Sequence, residues 1–155
     1  MAARLSSIAR CDVLAGWQYI AVKSRNAMTK SSVAPCPCGG SDYANCCKPY
    51  HDGTEPPSAD RLMRARYSAY VLGLMPYVHA TWHASTRPPL SDLTHDAAIK
   101  WLGLEIRKHV PQQDEATVEF VARSKSAGRA HRLHEISRFV REDRRWLYIN
   151  GVFPE

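Results

Sequence analysis

The hydrophobic positions of this chain change period once, near residue 100. Before that point Met63, Tyr67, Tyr70 and Leu74 recur at helical spacing, behind a Ser58 suited to an N-cap and an Asp60 suited to a first turn. This predicts one amphipathic helix, closed by Gly73 and Pro76. Pro76 also suits the first turn of a second helix running through Tyr77 to His83. "RPP" at 87–89 forces a loop, and "SDLTHDAAIK" at 91–100 is expected to add one short helix. Beyond it the period becomes two. Segments 101–110, 116–124, 131–140 and 145–151 are rich in Val, Ile, Phe, Trp and Tyr, and "PQQDE", "KSAGR" and "EDRR" separate them. These are expected to be antiparallel strands joined by hairpins, so helices precede a meander. The fold class is α+β, with helices packed on one face of the sheet.

Composition bounds the rest. At 155 residues, 45% hydrophobic and 23% charged, the chain has the balance of one soluble globular domain with room for something small. The apolar stretch "VLAGWQYIAV" at 13–22 is interrupted by Gly16 and Gln18 and falls short of the roughly 20 residues of a membrane helix, so no membrane association is expected. Residues 1–33 are expected to be a disordered or non-native leader, with Met28 as an alternative start to Met1. The net charge of +6 owes much to that leader, because five of the 21 basic residues and one of the 15 acidic ones precede residue 31. The body keeps a mild basic excess and no binding stripe, which argues against specific nucleic-acid recognition through Lys48, Arg61 or Arg145.

"CPCGGSDYANCC" at 36–47 crowds four of the five cysteines into two close pairs. Adjacent cysteines bridge each other only with strain, and a cytoplasmic chain keeps its thiols reduced. A redox pair would be expected to use C-x-x-C spacing, which is absent. Zinc needs four thiolates at tetrahedral corners, and two ligand pairs folded together by a turn through Gly39, Gly40, Ser41 and Asp42 supply them. A structural zinc site on Cys36, Cys38, Cys46 and Cys47 is favoured over redox chemistry or chance clustering. Lys48 is expected as a nearby donor and His51 as a spare ligand.

"CPCGGSDYANCCKPYHDG" resembles the SEC-C motif, the zinc-binding segment at the C-terminus of the secretion ATPase SecA, with seven residues in place of the usual eight between the pairs. "LMRARYSAYVLGLMPYVHATWHAST" at 62–86 resembles the bacterial YchJ family, as do "WLGLEI", "VEFVAR", "HEISRF" and "WLYINGV" further on. The resemblance implies a zinc segment over 34–55 and, over 56–155, a nuclear-transport-factor-two-like middle domain, a cone of helices against a curved sheet. It also implies contact with a protein partner, ribosome-associated or chaperone, as the motif serves in SecA. Pro56 and Pro57 mark the boundary, and the zinc segment is expected to unfold on chelation without the rest.

A conical domain of this kind commonly encloses a pocket. Its expected polar residues are Arg64, Arg66, Tyr67, Trp82, His83 and Glu135. Alternation places Glu135 and Ser137 on one strand face with Leu133 and Phe139, and an arginine of the first helix is expected to pair with Glu135. No catalytic set stands out: the histidines lack metal-ligand spacing, and Asn150 stands where the YchJ family usually has Asp. The leading expectation is a cytoplasmic zinc-binding adaptor. The alternative is a small-molecule binder or enzyme using the pocket.

Overall fold

Two-residue turns at Gln113–Asp114, Ala127–Gly128 and Asp143–Arg144 set the register of everything after residue 100. They join four strands, β1 Lys100–Gln112, β2 Glu115–Ser126, β3 Arg129–Glu142 and β4 Arg145–Val152, into an antiparallel sheet of order β1-β2-β3-β4. All six turn residues but Asp114 have positive φ, the backbone twist that lets so short a loop reverse a twisted strand pair. The four runs of alternating residues anticipated these strands, each of which extends up to two residues beyond the pattern. A computed structural model describes residues 34–154, so the leader over 1–33 lies outside the described residues.

The sheet bends because β1 slips register between Trp101 and Gly103 and again between Ile106 and Lys108, and β3 and β4 slip between Arg138 and Phe139. Its inner face carries Ala116, Val118, Phe120 and Ala122 of β2 and Glu135, Ser137 and Phe139 of β3, all buried. Helix α2, Ala59–Leu72, lies across that face, following the short helix α1 at Lys48–His51. Ser58 holds the extended N-cap conformation, but its hydroxyl donates to Asp60 Oδ1 at 2.6 Å and caps no backbone N–H. Helix α3, Met75–Ala80, is shorter than the expected run to His83. Thr81 ends it: its hydroxyl bonds back to the Tyr77 carbonyl, and its own carbonyl accepts from Tyr148 N at 2.9 Å. His83 N then donates to Tyr148 O at 2.7 Å, so the chain after α3 runs beside β4 and fixes Trp82 over it.

The helix expected over 91–100 does not form. A single 3-10 turn at Leu90–Asp92 is followed by irregular chain, where Asp96 Oδ1 accepts from Ala98 N and competes with helical bonding. No helix among the described residues is long and apolar enough to cross a membrane.

Candidate metal centre and pocket

The first cysteine pair is folded by a tight turn. Cys36 N donates to Ser41 O at 2.8 Å and Gly39 N to Cys36 O at 3.0 Å. The second pair is delivered by a 3-10 turn at Tyr43–Asn45, capped by Asp42, whose carboxylate accepts from Asn45 N at 2.9 Å and Asn45 Nδ2 at 2.8 Å. The seven-residue spacing thus suffices to return the chain onto itself. All four sulfurs lie within 4.8 Å of one another, with Cys38 and Cys46 at 3.5 Å and Cys46 and Cys47 at 4.0 Å. Four ligands about 2.3 Å from a tetrahedral ion would stand about 3.8 Å apart, so the donor set fits a metal. Gly40 is needed here, since a Cβ on it would meet Cys46 Sγ at 2.6 Å.

Without a cation the thiols compete. A hydrogen bond from Cys47 holds the Cys38 thiol well below its ordinary value, while burial and the neighbouring Cys38 sulfur push Cys46 up; Cys47 is raised too, by its bond to Cys38 and by burial. One thiolate forms readily and the next are resisted, an imbalance that a dication relieves. Neither neighbour expected to assist does so. Lys48 Nζ contacts Asp52 at 2.5 Å, and His51 is no spare ligand, because both ring nitrogens are engaged. His51 Nε2 lies 2.8 Å from the Ala65 carbonyl, which can only accept, so that nitrogen carries the proton and Nδ1 accepts from Tyr43 OH at 2.8 Å. Lys48 and Arg145, the latter at 2.8 Å from Glu55, are thus both engaged by carboxylates.

Helix α2 is the wall between this centre and the pocket. Ser68, wholly buried, puts its hydroxyl 3.6 Å from Cys36 Sγ; Arg64 donates to the Cys38 carbonyl at 3.3 Å; Ala65 receives His51. Positions 64, 65 and 68 make one helical face, and Met63, Arg66, Tyr67 and Tyr70 make another, which lines a cavity of about 230 Å³. Cys36, Cys38 and Cys47 belong to the same hydrophobic cluster as Leu62, Ala65, Tyr67 and Phe139. The core therefore continues across Pro56 and Pro57.

Across the cavity stand Trp82, Trp101, Phe120, Leu133, Glu135 and Tyr148. Arg66 is 3% exposed; its Nη1 donates to Val78 O at 2.7 Å and Thr81 Oγ1 at 2.8 Å, tying α2 to the end of α3. Its guanidinium carbon lies 4.7 Å from the Tyr148 ring and 5.2 Å from the Trp82 ring. Burial lowers its pKa from the ordinary arginine value. Glu135 is 7% exposed, and its Oε1 accepts from Ser137 Oγ at 2.7 Å and Tyr148 OH at 3.0 Å. Burial, and then the Glu135 charge, raise the Tyr148 phenol and keep it a donor. The carboxylate occupies space that only glycine leaves, since a Cβ on Gly151 would collide with Glu135 Oε1.

Of the six residues expected in the pocket, Arg66, Tyr67, Trp82 and Glu135 line it. Arg64 does not, because it sits two positions from Arg66 on the helix and turns to the cysteine segment. His83 does not either: with α3 ended early it contacts Ser85 at 2.6 Å and Glu142 at 3.0 Å. The expected pairing of Glu135 with an arginine is replaced by its bonds to Ser137 and Tyr148, donors one strand step and one neighbouring strand away. Sequence reasoning passed over Ser68 and Tyr148. A small polar residue four positions from Arg64 on the helix was the available signal for the first.

Residues 58–151 match the family described as YchJ, middle NTF2-like domain. A UPF0225 protein of Cupriavidus metallidurans is 57% identical over 131 residues, covering 79% of this chain and 91% of that relative. One from Chromobacterium violaceum is 50% identical over 129 residues, covering 79% and 96%. The solution structure of a SEC-C motif containing protein from Rhodopseudomonas palustris superposes with a TM-score of 0.67 at 27% identity, covering 79% of this chain and 100% of that one. The crystal structure of a SEC-C motif containing protein from Psychrobacter arcticus gives 0.63 at 28% identity, covering 81% and 84%.

Proposed function

The chain belongs to the YchJ (UPF0225) family, with an NTF2-like domain following a SEC-C cysteine cluster, and from that premise we propose that it is a zinc-braced small-molecule-binding protein. Zinc is the metal that a closed, all-sulfur, tetrahedral donor set of Cys36, Cys38, Cys46 and Cys47 favours. Its role is structural, since the four thiolates fill its coordination. Cytoplasmic residence, where such thiols stay reduced, accords with this.

The observation that carries the reading is that one helix, α2, has its 64/65/68 face on the cysteine centre and its 63/66/67/70 face on an aromatic cavity with two buried charged groups. An adaptor alone gives that cavity nothing to do, and buried charged groups are costly to keep. Ligand-observed NMR of the full chain against small organic compounds tests the proposal, with the indole N–H signals of Trp82 and Trp101 as the protein-side readout. Hits that shift both signals support it; a screen that moves neither contradicts it. Exposed Val152 and Phe153, at the end of β4, favour a second reading in which the protein also contacts a partner, a ribosome-associated protein or chaperone being the kind the SEC-C motif suggests. Co-purification of such a partner with the wild type, lost in a Phe153→Ser variant, checks it.

A further inference from the structure

Resting on the reading that the cavity binds a small molecule, we infer that its occupant is a small planar organic acid whose carboxylate pairs with Arg66 and whose opposite end donates a hydrogen bond to Glu135. The cavity, about 230 Å³, is smaller than the roughly 300 Å³ at which drug-sized sites begin, which limits the occupant to a metabolite of modest size. Aromatic rings of Tyr67, Tyr70, Trp82, Trp101, Phe120 and Tyr148 form its walls, and flat apolar surfaces of this kind favour a flat body.

Arg66 sets the sign of the charge. Among the described residues no carboxylate forms an ion pair with it, although ion pairs are plentiful elsewhere. Both its hydrogen bonds run through Nη1 to neutral acceptors, leaving Nε and Nη2 without protein partners among the described residues. Among the described residues the polar side-chain atoms buried without a partner are Tyr77 Oη, His109 Nε2 and Trp146 Nε1, so Arg66 Nε and Nη2 are not sealed off. That edge of a guanidinium presents two N–H groups in the spacing of two carboxylate oxygens, and desolvation makes an anion there worth more than it would be in water.

Glu135 sets the other end. Its Oε1 holds two donors, while Oε2 takes no hydrogen bond among the described residues and the side chain lines the same cavity. A hydroxyl or amine on the occupant meets that oxygen. The two charged groups form no ion pair among the described residues, Arg66 being tethered to the end of α3 and Glu135 to Ser137 and Tyr148 over the gap at Gly151, although the Glu135 charge still favours the charged form of Arg66.

Calorimetric titration of the full, metal-loaded chain with benzoate, 4-hydroxybenzoate and the neutral benzamide tests this. The expected order is 4-hydroxybenzoate, then benzoate, then benzamide, with benzoate about tenfold tighter than benzamide. Arg66→Gln is expected to erase the gap between benzoate and benzamide. Glu135→Gln, which does not depend on that variant folding, is expected to tighten benzoate severalfold by removing a like charge. Benzamide binding as tightly as benzoate, or Glu135→Gln weakening benzoate, overturns the acid assignment while leaving a binding pocket in place. If none of the three binds but neutral compounds from the NMR screen do, the acid assignment alone falls; if no compound binds at all, both readings fall.

Discussion

The cysteine centre and the pocket solve the problem of buried charge in opposite ways. The centre draws all four thiols from residues 36–47, and on the proposed reading a cation from outside the protein balances them. The pocket draws Arg66 from a helix and Glu135 from the third strand, and the fold itself holds each with hydrogen bonds to neutral neighbours. On that reading the local site needs a metal, and the non-local one needs the whole domain. Helix α2 contacts both, so a metal bound at the centre is expected to be felt in the cavity wall.

The largest expected effect breaks the local site. Chelation, or Cys38→Ser, should remove stoichiometric zinc, and with it a contribution on the order of 10 kcal/mol for small zinc modules. Because Cys36, Cys38 and Cys47 lie in the same cluster as Leu62 and Tyr67, the loss should reach α2 and the tryptophans of the cavity. Near-ultraviolet circular dichroism follows this; a zinc-free protein with an unchanged tryptophan spectrum would restore the two separable parts suggested by Pro56 and Pro57.

Gly151→Ala tests the non-local site. The added methyl collides with the Glu135 carboxylate and should cost about 1–3 kcal/mol, read as a lower midpoint in urea, with no change in zinc content. Ser68→Ala tests the wall from the other side. Losing the hydroxyl at Cys36 should weaken metal about tenfold in competition with a chelator, and leave the cavity's ligand preferences intact.

The smallest effect concerns pH. Burial holds the His51 imidazole below its ordinary value, so the neutral ring belongs to the folded state. The unfolded chain takes up its proton near pH 6.5, so His51 contributes stability above about pH 6.5 that is lost as the pH falls towards the folded value. His51→Gln should flatten the dependence of melting temperature on pH just below that point, in excess zinc. An unchanged slope would assign the acid sensitivity to the thiolates alone.

How far the sequence revealed each site follows from the same contrast. The cysteine cluster was legible because its four thiols are near neighbours in the chain, and spacing alone brought Cys36, Cys38, Cys46 and Cys47 together. The strands were legible because burial on one face enforces alternation, as at Ala116, Val118, Phe120 and Ala122. The pocket was legible by residue type but not by partner. Arg64 and Arg66 cannot share a helix face, and α2 turns Arg64 to the cysteine segment and Arg66 to the end of α3 and the cavity, which only the assembled fold decides. His83 was misplaced for a non-local reason as well, since its position depends on Thr81 and Tyr148 pairing across the fold. Gly151 and Tyr148 carry no local signal at all, because their importance lies in what Glu135 does above them.

The central claim is that the metal centre braces the pocket through α2. Hydrogen exchange of the α2 amides from Leu62 to Tyr70, compared between zinc-loaded and zinc-stripped full-length protein, tests it most directly. The account predicts that protection along this helix falls on zinc removal while β2 and β3 stay protected. Unchanged protection of α2, with loss confined to the residues around Cys36 to Cys47, would contradict it.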